Sequence, residues 1–208
     1  MNTYQVQKIK DKEIPWDQIN ELGINCYPWY KNGLKQDTRV KMVIHDHIIK
    51  VKALCEDIHS YSRETKLNGD VYLDSCFEFF VTPENDLGGP YFNVEMNCCG
   101  VLHMSYKDGS DKTLYCTKEQ AGHIQIVTSI TTPTKVEMED DKSWEIYLEL
   151  PIKVLEDMRG KAIELDCWYG NFYRCGGKTE DQYATWNPIE WEKPNFHVPE
   201  QFGKLQIV

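Results

Sequence analysis

The sequence predicts an all-β fold, a β-sandwich or jelly roll of two antiparallel sheets with a long C-terminal loop. Two patterns carry this expectation: short extended runs separated by turn residues recur along the chain, and segments with helical periodicity are scarce. A third is size and composition. A chain of 208 residues, 41% hydrophobic and 12% aromatic with six Trp and twelve Tyr, suits one domain over 1–208 with a sizeable core.

The elements follow in order. The segment PWDQI (15–19) places a proline where a first helical turn begins. The runs RVKMVI and IIKVKAL predict strands near 38–44 and 48–55, with His45-Asp46-His47 between them as a hairpin turn. Histidines at i and i+2 would share a face of a strand, so a metal fragment is the competing reading there. Strands are expected near 71–81, 91–98, 100–106 and 123–130. The acidic run EMEDD (137–141) reads as a solvated hairpin loop before a strand at 144–150, and Pro151 opens a short helix over 152–158. Strands near 161–174 and 204–208 complete the set, and 176–199, rich in Asn, Pro, Trp and His, reads as a long ordered loop wrapping the sandwich.

Charge and hydropathy exclude several partners. With 33 acidic against 23 basic residues the net charge is -10, which repels a phosphate backbone, so no nucleic-acid partner is expected. No apolar run reaches the roughly 18–20 residues of a membrane helix, so no membrane partner is expected either. The start, MNTYQVQKIKDKEIPW, lacks the apolar stretch of a secretory signal, which predicts a cytoplasmic protein as the sequence stands, or a secreted one if a leader has been removed. The eight cysteines, at 26, 55, 76, 98, 99, 116, 167 and 175, include no CxxC pair and several lie in apolar runs, as buried free thiols would. Structural disulfides remain the alternative.

One polar row stands out. In YFNVEMNCCG (91–100), Tyr91, Asn93, Glu95 and Asn97 alternate with apolar Phe92, Val94 and Met96. In VYLDSCFEFF (71–80), Asp74, Cys76 and Glu78 share a face opposite Ser75, Phe77 and Phe79. A hairpin of the two strands merges Asp74, Glu78, Asn93, Glu95 and Asn97 into one surface. Three carboxylates there need compensation from a cation, a basic residue or a hydroxyl-rich ligand, and amides that donate and accept suit polyols. In LDCWYGNFYRCG (165–176), Asn171 and Tyr173 again combine an amide with a ring, which suits a sugar's hydroxyls and its C–H face. The competing reading is a solvated sheet face.

The order DSCFEFF, YFNVEMNCCG, SWEIYLELPI, WYGNFYRCG and FHVPEQFGKLQIV resembles the carbohydrate-binding family 9-like domains, relatives of the family 9 modules of xylanases, over nearly the whole chain. The resemblance implies a jelly-roll β-sandwich that binds an oligo- or polysaccharide without cutting it, with structural calcium in the xylanase modules. It also implies that Glu78, Glu95, Asn97 and Asn171 hold hydroxyls. This chain has Glu95 where the modules use a basic residue, and neither clamping Trp has a clear counterpart, so stacking would fall to Tyr61, Tyr72, Tyr173, Trp186 or Trp191. Glu84, Asn85 and Asp86 in TPENDLGGP are candidate calcium ligands, or simply turn residues bonded to their own backbone. The alternative function is a glycoside hydrolase, or an accessory domain of one, using Glu78 and Glu95 as its carboxyl pair.

Overall fold

The computed structural model describes residues 1–137, 140–176 and 183–208; positions 138 and 139 of the acidic run and 177–182 of the expected loop lie outside the described residues. The strands are β1 (Thr3–Ile9), β2 (Leu22–Ile24), β3 (Thr38–His45), β4 (Ile48–Glu56), β5 (Cys76–Thr82), β6 (Tyr91–Asn97) and β7 (Leu102–Lys107). They continue with β8 (Thr113–Tyr115), β9 (Gln125–Thr128), β10 (Ser143–Pro151), β11 (Cys167–Cys175), β12 (Ala184–Thr185) and β13 (Gly203–Ile207), beside two short helices, α1 (Lys118–Ala121) and α2 (Ile152–Arg159). The chain is mostly β, and its strands form one curled sheet.

That sheet runs β8-β7-β6-β5-β11-β13-β1-β3-β4-β10-β9, with β2 on β3 and β12 on β11. The first strand joins the two limbs: Thr3 to Val6 pair with Lys204 to Ile207, and Gln7 to Ile9 pair with Val43 to His45. Both pairings are parallel, a departure from the expected antiparallel sheets. Strands joined by a tight hairpin must run antiparallel, whereas β1 meets partners remote in sequence and is under no such constraint. Its inward Tyr4 and Val6 fix its register by burial.

One apolar cluster draws on both limbs, from Val40, Met42, Val51, Trp144 and Leu148 on one side to Phe77, Phe79, Phe92, Val94, Trp168 and Phe172 on the other. Phe79 and Phe172 stack at 4.7 Å. Arg174 also points inward and ties the limbs by polar contacts. Its guanidinium donates to Asp57 Oδ2 (3.3 Å) and Thr38 Oγ1 (3.1 Å) and lies 4.9 Å from the Trp144 ring, whose Nε1 donates to the same Asp57 oxygen at 3.0 Å.

Local signals account for several elements. Asp46 and His47 have φ of 53° and 58°, the two-residue turn that matches strand twist, and His45 Nε2 lies 3.0 Å from the Asp11 carbonyl. This is the hairpin reading of the His-Asp-His tripeptide. Helix α2 follows Pro151, buries Ile152, Val154, Leu155 and Met158, and stops at Gly160, whose φ of 70° favours glycine. The strand expected near 71–81 begins only at Cys76, because Val71–Leu73 form a 3-10 turn. All eight cysteines are free thiols, six of them buried.

Candidate functional site

The hairpin of β5 and β6 places Glu78 directly opposite Glu95, on the face away from the main core. That face is not wet. Every residue of both strands is buried, because the C-terminal chain crosses it and packs Ile189, Phe196, Val198 and Phe202 against Cys76, Phe80, Tyr91, Tyr173 and Cys175. This second apolar cluster replaces the open platform that alternation alone suggests.

Most of the polar row holds chain segments in place. Asp74 lies outside β5; its Oδ1 and Oδ2 accept the N–H groups of Arg63 (3.0 Å) and Glu64 (2.9 Å). Asn97, with no exposed surface, donates to Asp74 Oδ2 (2.9 Å), Ser62 Oγ (3.0 Å) and the Glu64 carbonyl (3.1 Å). Its Oδ1 accepts from the N–H groups of Cys99 (3.2 Å) and Val101 (2.9 Å). Asp74 and Asn97 therefore fasten the loop that carries Tyr72. Asn171, also fully buried, grips the backbone of Asn187: Oδ1 accepts its N–H at 2.8 Å and Nδ2 donates to its carbonyl at 3.0 Å. These three, expected to hold sugar hydroxyls, are instead buried and bonded to protein partners.

The expected stacking residues divide in the same way. Tyr173 is fully buried, stacked on Phe196 at 4.2 Å, with its hydroxyl donating to the Phe196 carbonyl at 3.1 Å. Trp186 is buried edge-on to Phe172 and lies over Gly203, where an added Cβ would come within 2.5 Å of the indole. Tyr61 is buried too. None of the three offers a ring face. Trp191 is exposed but away from the pocket described next, and Tyr72, 52% exposed, is the expected ring that reaches it.

What remains open is a cavity of about 260 Å³ between the sheet and the C-terminal chain. Glu78, Glu95 and Cys175 form its floor, and the rings of Tyr72, Tyr183, Phe196 and His197 wall it. Asn93 Nδ2 donates to Glu95 Oε1 at 2.8 Å, while Glu95 Oε2 and Asn93 Oδ1 are buried without a partner. The Cys175 thiol donates to Glu78 Oε1 at 3.0 Å. Burial, with the nearby Cys175 and Glu95, raises the Glu78 carboxyl well above its ordinary value. Burial also raises Glu95, against the opposing pull of His103, Asn93 and Lys107. The Tyr91 hydroxyl meets His197 Nδ1 at 2.9 Å, and burial together with Lys107 and His103 holds that imidazole below its usual value.

One group of potential metal ligands among the described residues lies beside the pocket floor. Cys76, Glu78 and Cys175 offer ligand atoms within 4.8 Å of one another, a set of two sulfurs and a carboxylate that suits a zinc-type ion. Glu84, a candidate calcium ligand, is instead paired with Arg159 (2.9 Å) and Lys161 (3.0 Å), a correction that leaves its oxygens occupied. A larger groove of about 470 Å³ lies over the other limb, lined by Trp16, Lys52 and Tyr147 among others. There Lys52 Nζ sits 4.5 Å from the Trp16 ring.

The sequence profile described as carbohydrate-binding family 9 matches residues 6–207. The chain belongs to carbohydrate-binding family 9. Among solved structures, a candidate carbohydrate-binding protein from Bacteroides uniformis superposes with a TM-score of 0.87 at 25% identity, over 99% of each chain. A family 9 module from Caldicellulosiruptor kristjanssonii in complex with glucose gives a TM-score of 0.61 at 12% identity, over 100% of this chain and 96% of that one. The same organism's module with cellotriose gives 0.60 at 12% identity, over 99% and 93%. At that identity the two modules carry the fold alone. No curated protein sequence matches the chain.

In this family 9 domain the residues missed from sequence are Cys175, Tyr183, Phe196 and His197. The one signal for them was the aromatic, proline-containing run NFHVPE (195–200) inside a segment too long to be a simple connection.

Proposed function

We propose that this domain binds carbohydrate, without cleaving it, in the pocket floored by Glu78 and Glu95. The observation that carries the reading is a small pocket with two carboxyl groups at its floor and aromatic rings at its wall, the pairing that sugar hydroxyls and C–H faces require. We also infer that the two limbs of the curled sheet pack as a jelly-roll sandwich around their shared core. The glucose and cellotriose held by the Caldicellulosiruptor modules make gluco-configured sugars the first ligands to try.

Hydrolysis by the same two carboxyls is the second reading, because they are cross-strand neighbours in one pocket. Such chemistry works when one carboxyl is raised as acid and its partner stays ionised, whereas burial raises both here. That arrangement supports binding without turnover. Calorimetric titration with mono- and oligosaccharides, alongside a reducing-sugar assay, tests this: saturable binding with no release of reducing ends supports it. Release of reducing ends that disappears in Glu78→Gln would transfer the assignment to a hydrolase.

A further inference from the structure

The chemistry of the pocket floor narrows the ligand further, resting on the carbohydrate reading above. Glu78 and Glu95 face each other across β5 and β6, and each is at least nineteen-twentieths buried, with exposures of 2% and 5%. Among the described residues, neither carboxyl has an ion-pair partner and neither Arg nor Lys lines the pocket. Besides Glu78, the ionisable groups that act on Glu95 are His103 opposite it on β7, Lys107 on the same strand, and Asp70, which opposes them. His103 Nδ1 is turned to the Gly69 carbonyl at 3.1 Å. From β11, Glu78 receives only a neutral thiol proton.

Glu95 Oε2 is thus a buried acceptor without a donor at the floor of the pocket. Hydroxyls would supply dipoles to this floor but no charge. An ammonium group supplies three donors and the positive charge that lets both opposed carboxyls ionise, through the stronger charge-assisted hydrogen bonds. The four rings around the floor favour the same group, because aromatic faces attract cations. The cavity, about 260 Å³, falls at the small end of ligand pockets and suits one sugar ring.

We propose that the preferred ligand is a sugar bearing a free amine, a hexosamine unit whose ammonium sits between Glu78 and Glu95 while its ring packs against Tyr72 and Phe196. N-acetylation would remove the charge and add bulk, so the acetylated sugar is disfavoured. The test is calorimetric titration of the full chain at pH 7, with EDTA present so that no metal occupies the thiol–carboxylate cluster, using D-glucosamine, D-glucose and N-acetyl-D-glucosamine. Glucosamine is expected to bind at least tenfold more tightly than either competitor. In Glu95→Gln, checked for folding by thermal melting, the advantage of glucosamine over glucose should disappear. Glucose or the acetylated sugar binding as tightly as glucosamine would overturn the amine preference and leave the carbohydrate reading standing. No binding by any sugar would overturn both. The wild-type series decides the matter even if the variant does not fold.

Discussion

Replacing Asn171 by Ala separates a residue that holds the fold from one that holds a ligand. The side chain makes three hydrogen bonds, to the N–H and carbonyl of Asn187 and to the N–H of Phe172. Removal leaves the N–H and carbonyl of Asn187 unpaired at a residue only 5% exposed. Each orphaned buried group costs about 1–3 kcal/mol, and water entering the vacated space recovers part of it, so a loss of about 2–4 kcal/mol follows. Urea unfolding followed by tryptophan fluorescence would read this as a fall in the midpoint of roughly 1–2 M with little change in slope. Sugar affinity should fall as well, because the released segment carries Phe196, a wall of the pocket. Lost binding with an unfolding free energy within about 0.5 kcal/mol of wild type would refute the reasoning, since surface-type changes have that size and Asn171 would then be a ligand contact.

Three further outcomes follow from the same structure. Because the folded chain keeps a proton on Glu78 that the unfolded chain gives up, stability should fall as pH rises from the ordinary carboxylate range through the raised folded value; Glu78→Gln, a copy of the protonated state, should flatten that slope in thermal melts and make the variant the more stable at pH 8. Asp57→Ala strands the buried Arg174 guanidinium and removes the acceptor of Trp144 Nε1, so chemical denaturation should register a loss of about 3–5 kcal/mol, and a loss under 1 kcal/mol would show that the pair does not tie the limbs. Tyr72→Ala, at a half-exposed rim position, should leave stability within about 0.5 kcal/mol but weaken sugar binding by about 0.5–1.5 kcal/mol in titration calorimetry.

The parts of this molecule that were legible in sequence are those fixed by local alternation. Glu78 and Glu95 share a surface because each strand alternates and the hairpin joins them, and that surface carries the pocket. Strands of two or three residues, such as β2, β8 and β12, are too short for periodicity to register. Contacts between remote segments were illegible. Nothing near Asn171 in the chain reveals that the backbone of Asn187 lies against it, nor does TPENDLGGP reveal that Arg159 and Lys161 return to Glu84. A buried amide suits a sugar and a passing main chain equally well, and only the fold decides which it meets. The same limit hid the cover over the polar face, since it is the C-terminal segment that turns a wet sheet into a pocket.

A crystal structure with a bound monosaccharide addresses the location of the site most directly. The account predicts the sugar ring against Tyr72 and Phe196, with its polar groups about 2.6–3.2 Å from the carboxyl oxygens of Glu78 and Glu95. A sugar seated in the groove of Trp16, Lys52 and Tyr147, with the Glu78–Glu95 pocket empty, would contradict it.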